Sequence, residues 1–319
     1  MNLKHKIKIL AAALLIATTP TINAAPPAPA TQQITQKAFA TPDDAAKALA
    51  EAVRAEDVNA LLTVVGPSSR TWLFSGDAVT DRNDWKKFLA DFDQKHSITE
   101  STDNHAFLLV GNDGWPFPAP LVHKSQGWVF DAEAGREEII NRRVGRNELN
   151  TIQTLLAIVD AQREYATGDP DGNGYNDYAQ RFISSTGKKD GLYWPVEAGE
   201  FPSPLGPLVG EATLKGYGKD KKASTGQPSP YNGYYYRILT KQGKNAAGGG
   251  FDFLVGDKMI GGFAIVAYPA KFGTSGIMTF MVNHDGVVFE KDLGETTADE
   301  ASKMKSYNPD AGWKMVEMQ

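Results

Sequence analysis

Apolar residues recur at helical spacing in three stretches before residue 96. Ala46, Leu49 and Val53 form the first stripe, opened by Thr41-Pro42-Asp43-Asp44. Thr41 supplies a capping oxygen, Pro42 suits the first helical position, and the two acids favour the positive helix end. Glu56-Asp57 starts a second, short helix carrying Val58, Leu61, Leu62 and Val65, and Gly66-Pro67 ends it. A third helix is predicted from about Asp81 to Lys95. Its Trp85, Phe88, Leu89 and Phe92 stand at i, i+3, i+4 and i+7, a one-sided apolar face.

The pattern then turns to short apolar runs between glycine-rich turns. Ala106 to Val110 closes at Gly111-Asn112-Asp113-Gly114, Trp115 to Lys124 at Ser125-Gln126-Gly127, and Trp128 to Asp131 follows. This reads as an antiparallel meander. Pro116, Pro118 and Pro120 lack backbone donors on one strand side, which places that strand at an edge or makes part of it irregular.

A second long helical region is predicted over residues 132–166, broken near Gly145, with Leu149, Ile152, Leu156 and Val159 as its buried stripe. Gly168 to Gly174 is a turn-rich loop, and residues 195–232, rich in Pro and Gly, read as ordered loops. Strands are predicted at Tyr234 to Thr240, Gly262 to Ala267 and Ile277 to Asn283. Val287 to Lys291 pairs with the last of these across His284-Asp285-Gly286, because Asp-Gly between apolar runs favours a hairpin. Pro269 is expected to end its strand. The order of elements gives an α+β protein with domains over residues 39–145 and 146–319.

The N-terminus adds a compartment. Lys4, Lys6 and Lys8 precede an uncharged run from Ile9 to Ala17, and small residues follow to Ala24. Residues 1–24 therefore read as a cleavable signal peptide, and residues 25–38 as an extended, proline-bearing leader. The apolar run is far shorter than the roughly 20 residues that span a bilayer, so no permanent membrane anchor is expected. The chain has no Cys, which excludes cysteine-linked lipid and zinc sites built on thiolates. Its net charge is −5, and removal of Lys4, Lys6 and Lys8 takes it to −8. With no basic, aromatic-interleaved cluster, nucleic acid and anionic membrane surfaces are poor partners.

One segment carries candidate metal ligands. Asp169, Asp171, Asn173 and Asp177 occupy positions 1, 3, 5 and 9 of a calcium loop, with Gly174 at the turn and the Tyr175 carbonyl as a further oxygen. Position 12 is Gln180, where such loops carry a bidentate Glu, and the competing reading is an Asp/Asn/Gly turn that stops the helix. Apart from this Ca2+ site no cofactor is expected. Two Ser-x-x-Lys matches, Ser185 to Lys188 and Ser302 to Lys305, lack the partner motifs of a hydrolase. His96, His105 and His123 have no metal-ligand spacing, and His284 falls in a hairpin turn. Trp115, Phe117, Trp128 and Phe130 either line a ligand pocket or pack a core.

Three resemblances sharpen these expectations. Three helices followed by a curved sheet over residues 39–131, closing with Lys124-Ser125-Gln126-Gly127-Trp128-Val129-Phe130-Asp131, resemble the nuclear transport factor 2-like cone. Such cones often bind small apolar molecules. The helix at residues 148–166 and the strands within residues 233–289 resemble the soluble domain of type IV pilins and pseudopilins. The apolar N-terminal helix with which pilins build filaments is absent. Phe39-Ala40-Thr41-Pro42-Asp43-Asp44, Asp190-Gly191-Leu192-Tyr193-Trp194-Pro195, Gly233-Tyr234-Tyr235-Tyr236-Arg237 and the run from Ala267 to Phe280 resemble a bacterial family catalogued as domain of unknown function 2950. That family lends no activity. The sequence thus reads as a periplasmic or secreted, non-catalytic binding or envelope structural factor. Its partner would be an envelope protein or a small apolar ligand. The alternative is a hydrolase with a site assembled between the two domains.

Overall fold

The computed structural model describes residues 34–100, 104–197, 199–200, 202–215, 217 and 229–317. The predicted signal peptide and residues 25–33 of the leader lie outside the described residues. The leader's last residues belong to the fold: Lys37 N donates to the Thr63 carbonyl at 2.8 Å and Gln36 Nε2 to that of Phe130 at 2.9 Å.

The first three predicted helices are present. Helix α1 spans Pro42–Arg54, with Thr41 Oγ1 accepting from Asp44 N, and α2 spans Val58–Val65 under an Asp57 cap. After Gly66 come a 3-10 turn, Pro67–Ser69, and a one-turn helix α3, Arg70–Leu73. Helix α4 runs Ala78–Gln94, three residues earlier than expected, because Asp77 caps it: Oδ1 accepts from Val79 N and Thr80 N, each at 3.1 Å.

The following sheet is antiparallel, in the order β1 (His96–Glu100), β2 (His105–Val110), β4 (Leu121–Lys124), β5 (Gly127–Phe130), with β3 (Trp115–Pro116) also on β2. The strand expected over Trp115 to Lys124 is thus split. Pro118 and Pro120, which cannot donate to a ladder, lie in the break. Phe39 and Trp128 extend the β5 edge, each N–H donating to the other's carbonyl at 2.9 and 2.8 Å.

Helix α5 is continuous over Ala132–Gly168, 37 residues, capped by Asp131 and stopped by Asp169 in the left-handed region at φ 43°. The expected break at Gly145 does not occur. Gly145 faces open space, and one exposed glycine costs about 1 kcal/mol against Ala, too little to interrupt so long a helix. Of the expected stripe, Val159 is buried and Ile152 and Leu156 pack half-buried against the core, but Leu149 is turned outward. Leu149 is 67% exposed, while Thr151, Leu155, Ile158, Val159, Gln162 and Tyr165 face inward.

The second sheet has the order β12-β11-β10-β9-β6, from β6 (Tyr234–Leu239), β9 (Ala264–Pro269), β10 (Met278–Asn283), β11 (Val288–Asp292) and β12 (Lys314–Met315). All its pairs are antiparallel, and Val282 faces Val288 across the expected hairpin. Every residue of β9 is buried, since α5 packs on β9 and β10 while α7 (Thr297–Lys303) covers β9. Tyr236 Oη meets Thr151 Oγ1 of α5 at 3.3 Å. Arg237, of opposite parity, donates to the Ala301 carbonyl of α7 at 2.8 Å. The sheet is therefore sandwiched, which explains its run of apolar residues without alternation. Strands β7 (Lys241–Gln242) and β8 (Phe251–Asp252) form a separate ribbon, and helix α6 (Gly206–Leu214) lies where only loops were expected.

Two apolar clusters result, one from residues 39–130 and one from residues 155–313. Buried hydrogen bonds cross between them. Asp77 Oδ2 accepts from Gly233 N at 2.9 Å and from Tyr217 Oη at 2.7 Å, while Asn147 Nδ2, on the stretch of α5 between the clusters, donates to the Ser275 carbonyl at 2.8 Å. Among the described residues no helix is long and apolar enough to cross a membrane.

Candidate functional site

The apolar face of α4 is only partly used for packing. Trp85 and Phe88 are half-buried, and with Trp72, Trp115, Phe117 and Val110 they line a cavity of about 690 Å³. Helix α4 forms one wall, the β2–β3 turn another, and Ile139, Arg142, Arg143 and Arg146 of α5 a third. Phe88 meets Phe117 at 5.5 Å between ring centroids, and Phe117 meets the fully buried Phe130 at 5.8 Å. Of the four aromatics singled out between residues 115 and 130, two therefore line the cavity. Phe130 belongs to the core, and Trp128 packs on His123 at 5.1 Å.

The charged residues around the cavity are mostly paired. Arg146 holds Asp84 at 2.7 Å, Lys87 holds Asp91 at 2.8 Å, and Arg142 holds Glu138 while lying 4.0 Å above the Trp115 ring. Arg143 differs. It is buried, and its Nη1 and Nη2 donate to the Trp72 and Leu73 carbonyls at 2.8 and 3.2 Å. Burial lowers its pKa, and the charge of Asp81 partly offsets this. Asp81 is buried as well, with both oxygens accepting from Ser75 N, and burial holds its carboxyl above the usual range. The sequence reading missed both residues. Their signal was faint: a lone Asp and one Arg of a charged run, on helix faces whose phase was not yet fixed.

The Asp169 loop is knit together by amides. Asp169 accepts from Asn173 N and Gly174 N, each at 3.0 Å, and Asn173 Oδ1 accepts from Tyr175 N at 2.8 Å. Asn173 Nδ2 stands between Asp171 and Asp177, donating to them at 2.7 and 3.0 Å. Asp177 is buried and Tyr175 is exposed. Among the described residues no three His, Asp or Glu side chains are grouped to hold a metal ion. The calcium reading has a direct check. If the loop ligates Ca2+, millimolar calcium raises the melting temperature by mass action and Asp171→Ala abolishes the rise. An unchanged melting curve leaves the loop as a helix-stopping turn.

The remaining candidates do not assemble a site. Ser185 Oγ donates to Asp190 at 2.9 Å and accepts from Arg181 at 2.7 Å, and Ser302 donates to the Asp299 carbonyl at 3.3 Å, so neither hydroxyl is bonded to its Lys. His96 stacks on Phe92 at 3.9 Å. His284 is half-buried against Phe253 and Phe263, more enclosed than its turn position implied.

No curated protein and no solved structure matches the chain. The family described as protein of unknown function (DUF2950) matches residues 36–316, from the tethered end of the leader to the last strand. The chain therefore belongs to the DUF2950 family.

Proposed function

We propose that the chain is a non-catalytic binding protein that holds a small, mainly apolar ligand in the cavity between α4 and α5. The observation that carries this reading is the cavity itself. Its 690 Å³ falls in the range of small-molecule sites, roughly 300–1,000 Å³, and aromatic rings line it below a charged rim. Three helices and an antiparallel meander around it support a nuclear transport factor 2-like N-terminal half. A long helix laid on an antiparallel sheet supports a pilin-like C-terminal half.

Intrinsic fluorescence tests the binding reading, because Trp72, Trp85 and Trp115 all line the cavity. Titration with the uncharged probe N-phenyl-1-naphthylamine is expected to saturate at one equivalent and to quench tryptophan emission. Ile139→Trp, which fills the cavity from α5, should weaken the probe at least tenfold. Absence of saturable binding, or binding indifferent to Ile139→Trp, overturns the proposal.

Export is part of the same reading. The protein recovered outside the cytoplasm is expected to begin at Ala25 or Pro26 on N-terminal sequencing. An intact Met1 in that pool refutes it.

A further inference from the structure

Arg143 is the cation of the cavity wall that has no acid of its own. Its neighbours Arg142, Arg146 and Lys87 each hold a carboxylate. Among the described residues none stands within ion-pair distance of Arg143. Asp81 lies within electrostatic reach, but both its oxygens are turned to Ser75 N. Lys271 brings a second cation close by, its Nζ on the Phe74 carbonyl at 3.4 Å and on that of Thr71. Arg143, Arg146 and Lys271 against Asp81 and Asp84 leave one positive charge in excess, and a buried charge is costly until it is paired.

The same wall is short of acceptors. Arg143 Nε and Trp72 Nε1 are both buried, and neither has a hydrogen-bond partner. Their residues are 8% and 3% exposed and touch each other, since Arg143 Nη1 donates to the Trp72 carbonyl at 2.8 Å. Buried donors without partners are uncommon enough to require a reason. An anion would supply the acceptors and the negative charge that this wall lacks, and a carboxylate is the group whose geometry matches an arginine fork.

We propose that the cavity's ligand is an apolar carboxylic acid. Its carboxylate is read by Arg143 and Trp72 Nε1, and its apolar body rests on Trp85, Phe88 and Phe117. This rests on the binding reading above and adds the head group to it. The two N–H groups are covered by the protein, so engagement requires a side-chain rotation at Arg143 or Trp72. The competing role for Arg143 is a clamp only, holding the α3 carbonyls to α5.

The test compares decanoate with decanol on the full chain, below their aggregation concentrations, by displacement of N-phenyl-1-naphthylamine. Decanoate is expected to bind at least tenfold more tightly than decanol. Trp72→Phe removes one donor from the cavity wall and should weaken decanoate more than decanol, narrowing that ratio. Arg143→Lys, which keeps the charge but loses the fork, should narrow it too. Decylamine should bind more weakly than either. Equal binding of decanoate and decanol would overturn the head-group assignment and leave the apolar cavity standing. Failure of all three ligands and of the neutral probe would overturn both.

Discussion

Asp77→Ala is expected to cost about 3–5 kcal/mol, the sum of a lost helix cap, a buried Gly233 N–H left without an acceptor and a Tyr217 hydroxyl left with Thr80 Oγ1 alone as acceptor. The Asp77 side chain is 1% exposed and uses both oxygens. Oδ1 takes the first free N–H groups of α4, and Oδ2 takes Tyr217 Oη and Gly233 N. Tyr217 Oη in turn accepts from Asn232 N at 3.0 Å, so the loss spreads into the β6 approach. At this chain length the change should lower the melting temperature by roughly 10 °C. Asp77→Asn is the sharper control. Donors surround both oxygens, so the amide NH2 must face a donor in either orientation, and the near-isosteric change should cost nearly as much as Ala. Differential scanning calorimetry decides. A drop under 2 °C for both variants would show that the Asp77 hydrogen bonds do not hold the two clusters together.

The second large effect is expected at Gly127. Its φ is +120°, outside the range of L side chains, and a Cβ there would lie 2.4 Å from the Phe39 carbonyl oxygen. The obstacle is backbone, so it cannot rotate away. Gly127→Ala must displace residues 37–39 from β5, break the reciprocal Phe39–Trp128 bonds and expose part of the buried Phe39 ring. Strain and lost contacts together should cost about 3 kcal/mol or more. Hydrogen exchange offers a local readout. The Phe39 and Trp128 amides should lose protection in Gly127→Ala, whereas β9 and β10 amides fall only with global stability. Unchanged protection at Phe39 would refute the account.

Elements announced by local chemistry were legible in the sequence: the Thr41-Pro42 cap, the Asp285-Gly286 hairpin and the strand end at Pro269. Elements defined by tertiary context were not. β1 reads His-Ser-Ile-Thr-Glu, with a single apolar residue, and exists because β2 offers it a ladder. The α5 stripe held at Ile152, Leu156 and Val159 but failed at Leu149, because the helix serves two surroundings and no single period describes its whole length. The apolar face of α4 was correctly placed, yet sequence cannot distinguish side chains that fill a core from side chains that line an opening. The cavity was therefore invisible except as one reading of Trp115 and Phe117. Arg143 was hidden among Arg136, Arg142 and Arg146, because its burial depends on where α3 ends.

Continuity of α5 links the cavity and the second sheet by angle as well as by distance. The helix is about 55 Å long and turns about 100° per residue. Arg143 on the cavity side and Leu155 on the sheet side are twelve residues apart, which sets their directions about 120° from each other around the axis. Deleting one residue between them would swing one face by about 100° against the other, so neither could keep its partners. Adding seven would restore the alignment to within about 20° while parting the two surfaces by about 10 Å. Between positions 143 and 155 exposed residues such as Gly145, Leu149 and Gln153 can change, but the number of residues cannot.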